Sequence, residues 1–578
     1  MDDVYIPPRP WLASYGASIP HDLPEPRYRS LAELVHRACQ DNARRTAITC
    51  VVPNGMNGSL SYARIGEMSD AFAAFLRHDC GLRTGDRVAV QLPNGLAYPV
   101  VAFGVFKAGC VLVNTNPLYT PNEMIHQFND AGVRALVIVD MFADKLAEVV
   151  PKTGIQTVIL AGVPEFFPKV PEVVVRAVQK VWNKVLPPVP RLEVPLLRLK
   201  VALGKGRAHQ ADVRAIWAAT GPDDLALLQY TGGTTGVAKG AMLTHGNLLT
   251  NLDQVKAVSG GMLARDDQVM TALPLYHIFA FTVNLMTFFE LGARNIVIPS
   301  PRPVQNLQRA LENYPITCIT GVNTLFNGLM NEEWFTAYPP RHLRAALAGG
   351  TALHEAVATR WRGLTGTQIA EGYGLTETSP VVSFNPLDDR ARPGSIGIPV
   401  PGCDVLVVDD DGKPLPDGEP GELIVRGSQV MRGYWQRPEE TAATIRNGWL
   451  STGDVAVMDA GGFLRLVDRK KDLVIVSGFN VYPNEVEAAL AKLDGVLEAA
   501  VVAIPDARTG EAVRAYVVRN PDHPGDLTKE DIQRHCRALL SDYKVPKSIV
   551  FRDALPKSPI GKILRKDLKA EARAETAV

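Results

Sequence analysis

Residues 228–245 read LQYTGGTTGVAKGAMLTH, an apolar run followed at once by two glycines, two threonines, another glycine and a lysine. Backbone N–H groups and hydroxyls of Thr231, Gly232, Gly233, Thr234, Thr235 and Gly236 are suited to wrapping a polyphosphate, with Lys239 offsetting its charge. The stretch is not a Walker A loop, because Ala238 precedes Lys239 and Gly240 follows it. An isolated loop of this composition is equally a flexible turn. Three further stretches carry chemistry. In EGYGLTETSP (371–380), Tyr373 offers a face to a purine and Glu377 a carboxylate to a divalent cation. In STGDVA (451–456), Asp454 could accept from two ribose hydroxyls, although a lone TGD is commonly a hairpin corner. In PKSPIGKILRKDL (556–568), Lys562 follows a glycine and precedes a basic helix, which is also the texture of a plain basic tail.

These groups need a scaffold. From about residue 87 to 297, β-rich runs alternate with helix-length segments, the pattern of βαβ units around a mostly parallel sheet. The pattern continues to about residue 386. Residues 403–427 then show short strands joined by DG and PDG turns, reading as antiparallel β. After residue 471 comes a mixed unit in which Thr528 and Asp531 stand at capping-box spacing. The fold class is therefore α/β: a body over 1–470, with a small β subdomain at 388–470, and an α+β cap over 471–578. At 578 residues more than one domain is expected.

Composition narrows the function. Sixty-one basic residues balance 61 acidic ones, so no global charge points to nucleic acid. Seven scattered cysteines lack metal-ligand spacing and read as reduced thiols of a cytoplasmic protein. No signal peptide or membrane span is legible; Lys107 and Asn284 interrupt the most apolar stretches. Residues 168–208 stand apart, rich in Val, Leu, Lys and Arg with only two acids, Glu172 and Glu193. Arg176, Lys180 and Lys184 recur every four residues while Val174, Val178, Val181 and Val185 follow another face. Such a helix suits either peripheral contact with the inner face of a cell membrane or a solvated cover on the body. Prolines at 187, 188, 190 and 195 argue against one long helix.

The four motifs, in this order, resemble those of the adenylate-forming enzymes, and most of all bacterial long-chain fatty-acid CoA ligases. Gly232 and Ala238 stand where Ser and Pro are commoner, and Ser451 where His is frequent. The resemblance implies ATP, Mg²⁺ and CoA as cofactor and co-substrates, a fatty acid as substrate, and transfer through an acyl adenylate. It implies that residues 231–236 and Lys239 meet the β- and γ-phosphates, that Glu377 binds Mg²⁺, and that Thr376 lies beside the α-phosphate. Asp454 and Arg469 would hold ribose. Glu371, Gly372, Tyr373 and Gly374, with Gly349, Gly350 and Thr351, would frame adenine and the acyl carboxylate. Lys562 would reach in from a mobile cap hinged at Lys471, which then presents Ser477, Gly478 and Phe479 to CoA. His277 would orient the carboxylate side, and Phe279, Phe281, Met286, Phe288 and Phe289 would line an acyl channel or else form plain core. An aryl-acid ligase, a ligase loading a separate carrier protein, and a non-catalytic fatty-acid binder are the alternatives. Chain length and oligomeric state, a homodimer included, stay open.

Overall fold

The computed structural model describes residues 8–231, 238–506, 508–521, 523 and 525–576. The alternating pattern folds into two mostly parallel sheets. One has seven strands in the order Leu196–Arg198, Thr157–Ala161, Val133–Val139, Arg87–Gln91, Val111–Asn114, Leu225–Thr231, Lys239–Thr244. Only its last pair is antiparallel. The other has nine strands with a parallel centre that includes Gln268–Thr271, Cys318–Gly321, Ala345–Ala348 and Ile369–Gly374. Antiparallel pairs occur only at its margins. Central strands are apolar on both faces because both faces are covered, as in other parallel sheets.

Helix Ala97–Lys107 is buried along its whole length, which explains its lack of a polar face. Its last residue, Lys107, is itself buried and donates to Asp70 Oδ1 at 2.7 Å, Ser69 Oγ at 2.9 Å and the Gly66 carbonyl at 3.3 Å. A paired charge in the core therefore accounts for the interruption of this apolar run. No described helix is long and apolar enough to cross a membrane.

A five-stranded antiparallel sheet follows, built from Cys403–Val408, Gly421–Gly427, Ile445–Arg446, Trp449–Met458 and Leu464–Arg469. Gly412 and Gly418, in the DG and PDG turns, have φ of 80° and 89°. The C-terminal residues form a smaller unit: a second five-stranded sheet packed against helices Pro483–Leu490, Lys529–Leu539 and Arg565–Thr576. Asp531 N donates to Thr528 Oγ1 at 3.2 Å and Thr528 N to Asp531 Oδ2 at 3.1 Å, the reciprocal pair expected from the spacing.

Within 168–208, helix Lys169–Ala177 runs into a π-helical turn, Val178–Trp182, and ends before the prolines. Leu196–Arg198 joins the edge of the seven-stranded sheet, and helix Leu199–Gly206 follows. The expected basic face needs correction at Arg176, whose guanidinium turns inward to Asp140 at 3.2 Å and Glu165 at 3.4 Å. Buried carboxylates outcompete solvent for it. The outward face instead carries Val170, Val173, Val181 and Trp182, the last 85% exposed, among exposed Lys169, Lys180 and Lys184.

Candidate active site

A cavity of about 2590 Å³ opens at the carboxyl ends of Leu225–Thr231, Ala345–Ala348 and Ile369–Gly374, the place where parallel α/β sheets leave a crevice. It is walled by both the body and the C-terminal unit. Thr231, Lys239, His277, Gly349, Gly350, Thr351, Glu371, Gly372, Tyr373, Gly374, Thr376, Glu377, Asp454, Arg469, Lys471 and Lys562 all line it. Gly232, Gly233, Thr234, Thr235 and Gly236 lie outside the described residues. Ser477, Gly478 and Phe479 do not reach the cavity. They form the tip of the hairpin between Val474–Val476 and Phe479–Val481, where Phe479 is 58% exposed beside Tyr543.

The anionic end of the cavity is built around Glu377, on the short turn Thr376–Thr378. The Tyr434 hydroxyl donates to its Oε1 at 2.7 Å. The Lys239 ammonium lies 5.3 Å from the centre of the Tyr434 ring and 3.5 Å from Glu440. Gly374 must lack a side chain, since a Cβ there would stand 1.8 Å from the Pro380 carbonyl.

Asp454 sits inside strand Trp449–Met458, next to Gly453 with φ of 70°, so TGD is a strand irregularity and not a hairpin corner. The Tyr373 hydroxyl donates to Asp454 Oδ2 at 2.7 Å, and Arg469 Nε stands 3.1 Å from Oδ1. Burial, then the Asp454 charge, pushes the Tyr373 phenol well above its usual range. The trio is thus a neutral donor and a cation sharing one carboxylate.

Glu371 accepts from Leu353 N at 3.0 Å, and burial pushes its carboxyl up to about 8. It is mainly uncharged at neutral pH. Nearby, Thr351 Oγ1 is buried without a hydrogen-bond partner among the described residues, an acceptor and donor left for a ligand. Phe279 N donates to His277 Nδ1 at 3.3 Å, and burial, helped by Lys562, pulls this imidazole down to about 4. His277 is therefore neutral, with Nε2–H as its remaining donor.

Lys562 enters on a turn closed by Lys562 N to Ser558 Oγ at 3.1 Å and Ser558 N to the Lys562 carbonyl at 2.7 Å. Gly561, with φ of 92°, presses this turn on Val322 and Thr324 of the body. Arg302 donates to the carbonyls of Ser558 at 3.3 Å and Pro559 at 3.1 Å. Burial first and the Arg469 guanidinium second pull the Lys562 ammonium down to about 8, against the opposing charge of Asp454.

The expected aromatic channel is corrected. Only Phe279 of that set lines the cavity; Phe281, Met286, Phe288 and Phe289 are buried in the core. The segment Ala280–Thr287 is buried on every side, with Thr282, Asn284 and Thr287 hydrogen-bonded inside, so most of it packs away from any opening. The apolar arm is walled by Val255 and Val258 of helix His245–Val258, with Leu263, Val283, Val381 and Ile396. In sequence these read as ordinary core; the spacing of Val255 and Val258, three apart on one helix face, was the available signal. Tyr434 and Arg302 also escaped the motif reading.

The chain matches the AMP-binding enzyme model over residues 35–435 and the AMP-binding enzyme C-terminal domain over 485–562. It is 48% identical over 565 residues to a long-chain-fatty-acid–CoA ligase of Escherichia coli O6:H1, covering 97% of this chain and 98% of that one. A Yersinia pestis protein of the same description is 48% identical over 567 residues, with 97% and 98% covered. Among solved structures, ATP-bound MatB from Rhodopseudomonas palustris superposes with a TM-score of 0.78 at 30% identity, covering 93% of this chain and 98% of that one. Sequence match, cavity and architecture agree: the chain belongs to the AMP-binding enzyme family.

Proposed function

We propose that the protein is a long-chain fatty acid–CoA ligase that forms an acyl adenylate from ATP and passes the acyl group to CoA. The observation that carries this reading is the convergence of Lys562, from the C-terminal unit, with Lys239, Glu377, Tyr373, Asp454 and Arg469 of the body on one cavity that also has an apolar arm. In the first step a carboxylate oxygen bonds to the α-phosphorus and the bond to pyrophosphate breaks. Charge builds on non-bridging oxygens, so cations and donors matter more than a base. Lys239 takes the departing phosphates, with Thr231 and the residues at 232–236. Lys562 bridges the α-phosphate and the attacking carboxylate. Asp454 holds the ribose hydroxyls, while Arg469 pairs with one of its oxygens and Tyr373 fixes the other. Neutral His277 and Thr351 donate to the acyl carboxylate without adding charge.

Glu377 suits Mg²⁺: a half-buried carboxylate lining the cavity with one oxygen already oriented by Tyr434. When bound, Mg²⁺ would supply charge neutralisation for the triphosphate. In the second step the unit beyond Lys471 turns, withdrawing Lys562 and bringing Ser477, Gly478 and Phe479 to the cavity. The CoA sulfur then bonds to the acyl carbon and AMP leaves.

The test is an assay of purified protein with ATP, Mg²⁺, CoA and acids from acetate through palmitate and oleate to coumarate. AMP and thioester rising together with long-chain acids is the expected result. Adenylate without thioester would instead indicate a carrier-protein acceptor, and no AMP with any acid would end the ligase reading.

The outward apolar face of 168–208 supports peripheral binding to an anionic bilayer. Its valines and Trp182 would enter the interface while Lys169, Lys180 and Lys184 meet headgroups. Co-sedimentation with vesicles containing anionic lipid, lost in a Val173→Asp, Trp182→Asp variant, is the expected outcome; equal sedimentation of both proteins would refute it.

A further inference from the structure

Away from the cavity, His78, His209 and Asp212 bring three ligand atoms within 4.8 Å of one another. His78 Nε2 lies 3.4 Å from Asp212 Oδ2, and His209 Nδ1 lies 4.0 Å from the same oxygen. The imidazoles stack side by side, centroids 4.4 Å apart and planes 20° apart. We propose that these side chains form a binding site for a divalent transition-metal ion of the zinc class.

Local structure places all three. His78 lies in the π-helical turn Phe75–Asp79 that ends helix Tyr62–Ala74, and such turns redirect side chains that a regular helix would point elsewhere. His209 and Asp212 stand three apart in Arg207–Asp212, which puts both on one side of a single turn. His209 itself leaves helical geometry, at φ −122° and ψ 15°. The two elements are brought together by helix Leu199–Gly206, where the absence of a side chain is obligatory: a Cβ on Gly206 would stand 1.9 Å from the Ala71 carbonyl. Lys205 to Asp79 at 3.2 Å and Gln210 Nε2 to the Glu67 carbonyl at 2.6 Å hold the same junction.

The donor set selects the ion. Two imidazoles and one carboxylate favour zinc, copper or nickel over magnesium or calcium, which prefer all-oxygen sites. Bond lengths of about 2.0–2.2 Å in a tetrahedral site place ligand atoms roughly 3.3–3.5 Å apart. The 3.4 Å contact between His78 and Asp212 already meets this, and the side chain of His209, 48% exposed, is free to swing the remaining distance. Exposure leaves the fourth position to water. The ion would pin 199–212, which carries the chain from the outward apolar helix to strand Leu225–Thr231, onto helix Tyr62–Ala74.

The test is calorimetric titration of the metal-stripped full chain with Zn²⁺ in excess Mg²⁺, which occupies oxygen-rich sites. One Zn²⁺ per chain is expected, with binding weakened at least about tenfold by His78→Gln and by His209→Gln. Both variants should melt like the parent without metal and retain acyl-CoA formation. Co²⁺ should give the visible absorption of a tetrahedral nitrogen and oxygen site in the parent and lose it in the variants. No saturable binding, or Zn²⁺ binding equal in parent and variants, overturns the assignment.

Discussion

The Tyr434 hydroxyl holds Glu377 Oε1 at 2.7 Å while its ring faces the Lys239 ammonium, so one aromatic side chain touches both charged groups of the cavity's anionic end. Tyr434→Phe keeps the ring and removes one hydrogen bond to a charged group. Such bonds are worth about 1.5–3 kcal/mol, or roughly ten- to a hundredfold. The expected outcome is a rise of at least about tenfold in the Mg²⁺ concentration giving half-maximal pyrophosphate release. An unchanged Mg²⁺ dependence would show that Tyr434 does not orient Glu377.

Arg302 grips the turn that carries Lys562 through the Ser558 and Pro559 carbonyls. It belongs to the body, so it should favour the pose in which Lys562 faces the cavity. Arg302→Ala is expected to slow acyl-adenylate formation about tenfold and leave thioester formation from supplied acyl adenylate unchanged. Equal loss in both half-reactions would mean a general loss of structure.

Removing Lys562 tests the first step directly. Lys562→Ala should cut adenylation by about 10²–10³ or more, the typical cost of one donor to developing charge. Single-turnover measurement of pyrophosphate release is the check, and thioester formation from supplied acyl adenylate should persist.

The alkaline limb of activity has two candidate owners. Lys562, held down to about 8, carries its useful charge below that pH and loses it above. Glu371, pushed up to about 8, is neutral below the same pH and ionised above. Either way kcat/KM for adenylation should fall above about pH 8, since that parameter follows the free enzyme. Lys562→Arg shifts the limb to higher pH if the lysine is responsible; Glu371→Gln does so if the carboxyl is. A limb unmoved in both variants would exclude both groups.

Val283 walls the apolar arm. Val283→Trp should shorten it, and with each excluded methylene worth about 0.8 kcal/mol the loss grows with chain length. Palmitate should lose at least about tenfold in kcat/KM while octanoate is nearly unaffected. Uniform loss across chain lengths would move the channel elsewhere.

Local features were legible in the sequence where cause and effect lie within a few residues. The Thr528 and Asp531 pair, the DG and PDG turns and the alternation that makes the parallel sheets are of this kind. The Tyr373–Asp454 bond was not, because its partners stand 81 residues apart and neither motif mentions the other. The aromatic run at 279–289 misled for a different reason: a helix buried on all sides gives no hint of which edge meets a cavity. Arg176 misled because periodicity describes where a side chain starts, whereas buried Asp140 and Glu165 decide where its charge ends. Arg302 and Tyr434 have no motif of their own; each acquires meaning only from what packs against it.

The hairpin tip at Ser477 and Gly478 and the lysine at 562 ride on the same small unit, yet only the lysine reaches the cavity. One unit cannot present both ends at once. Under the proposed reaction this makes the two half-reactions share time as well as space: a molecule poised to activate an acid is unavailable to thiol, and one delivering its acyl group cannot begin another activation. Each acyl group delivered would then require one swing of the unit and one return.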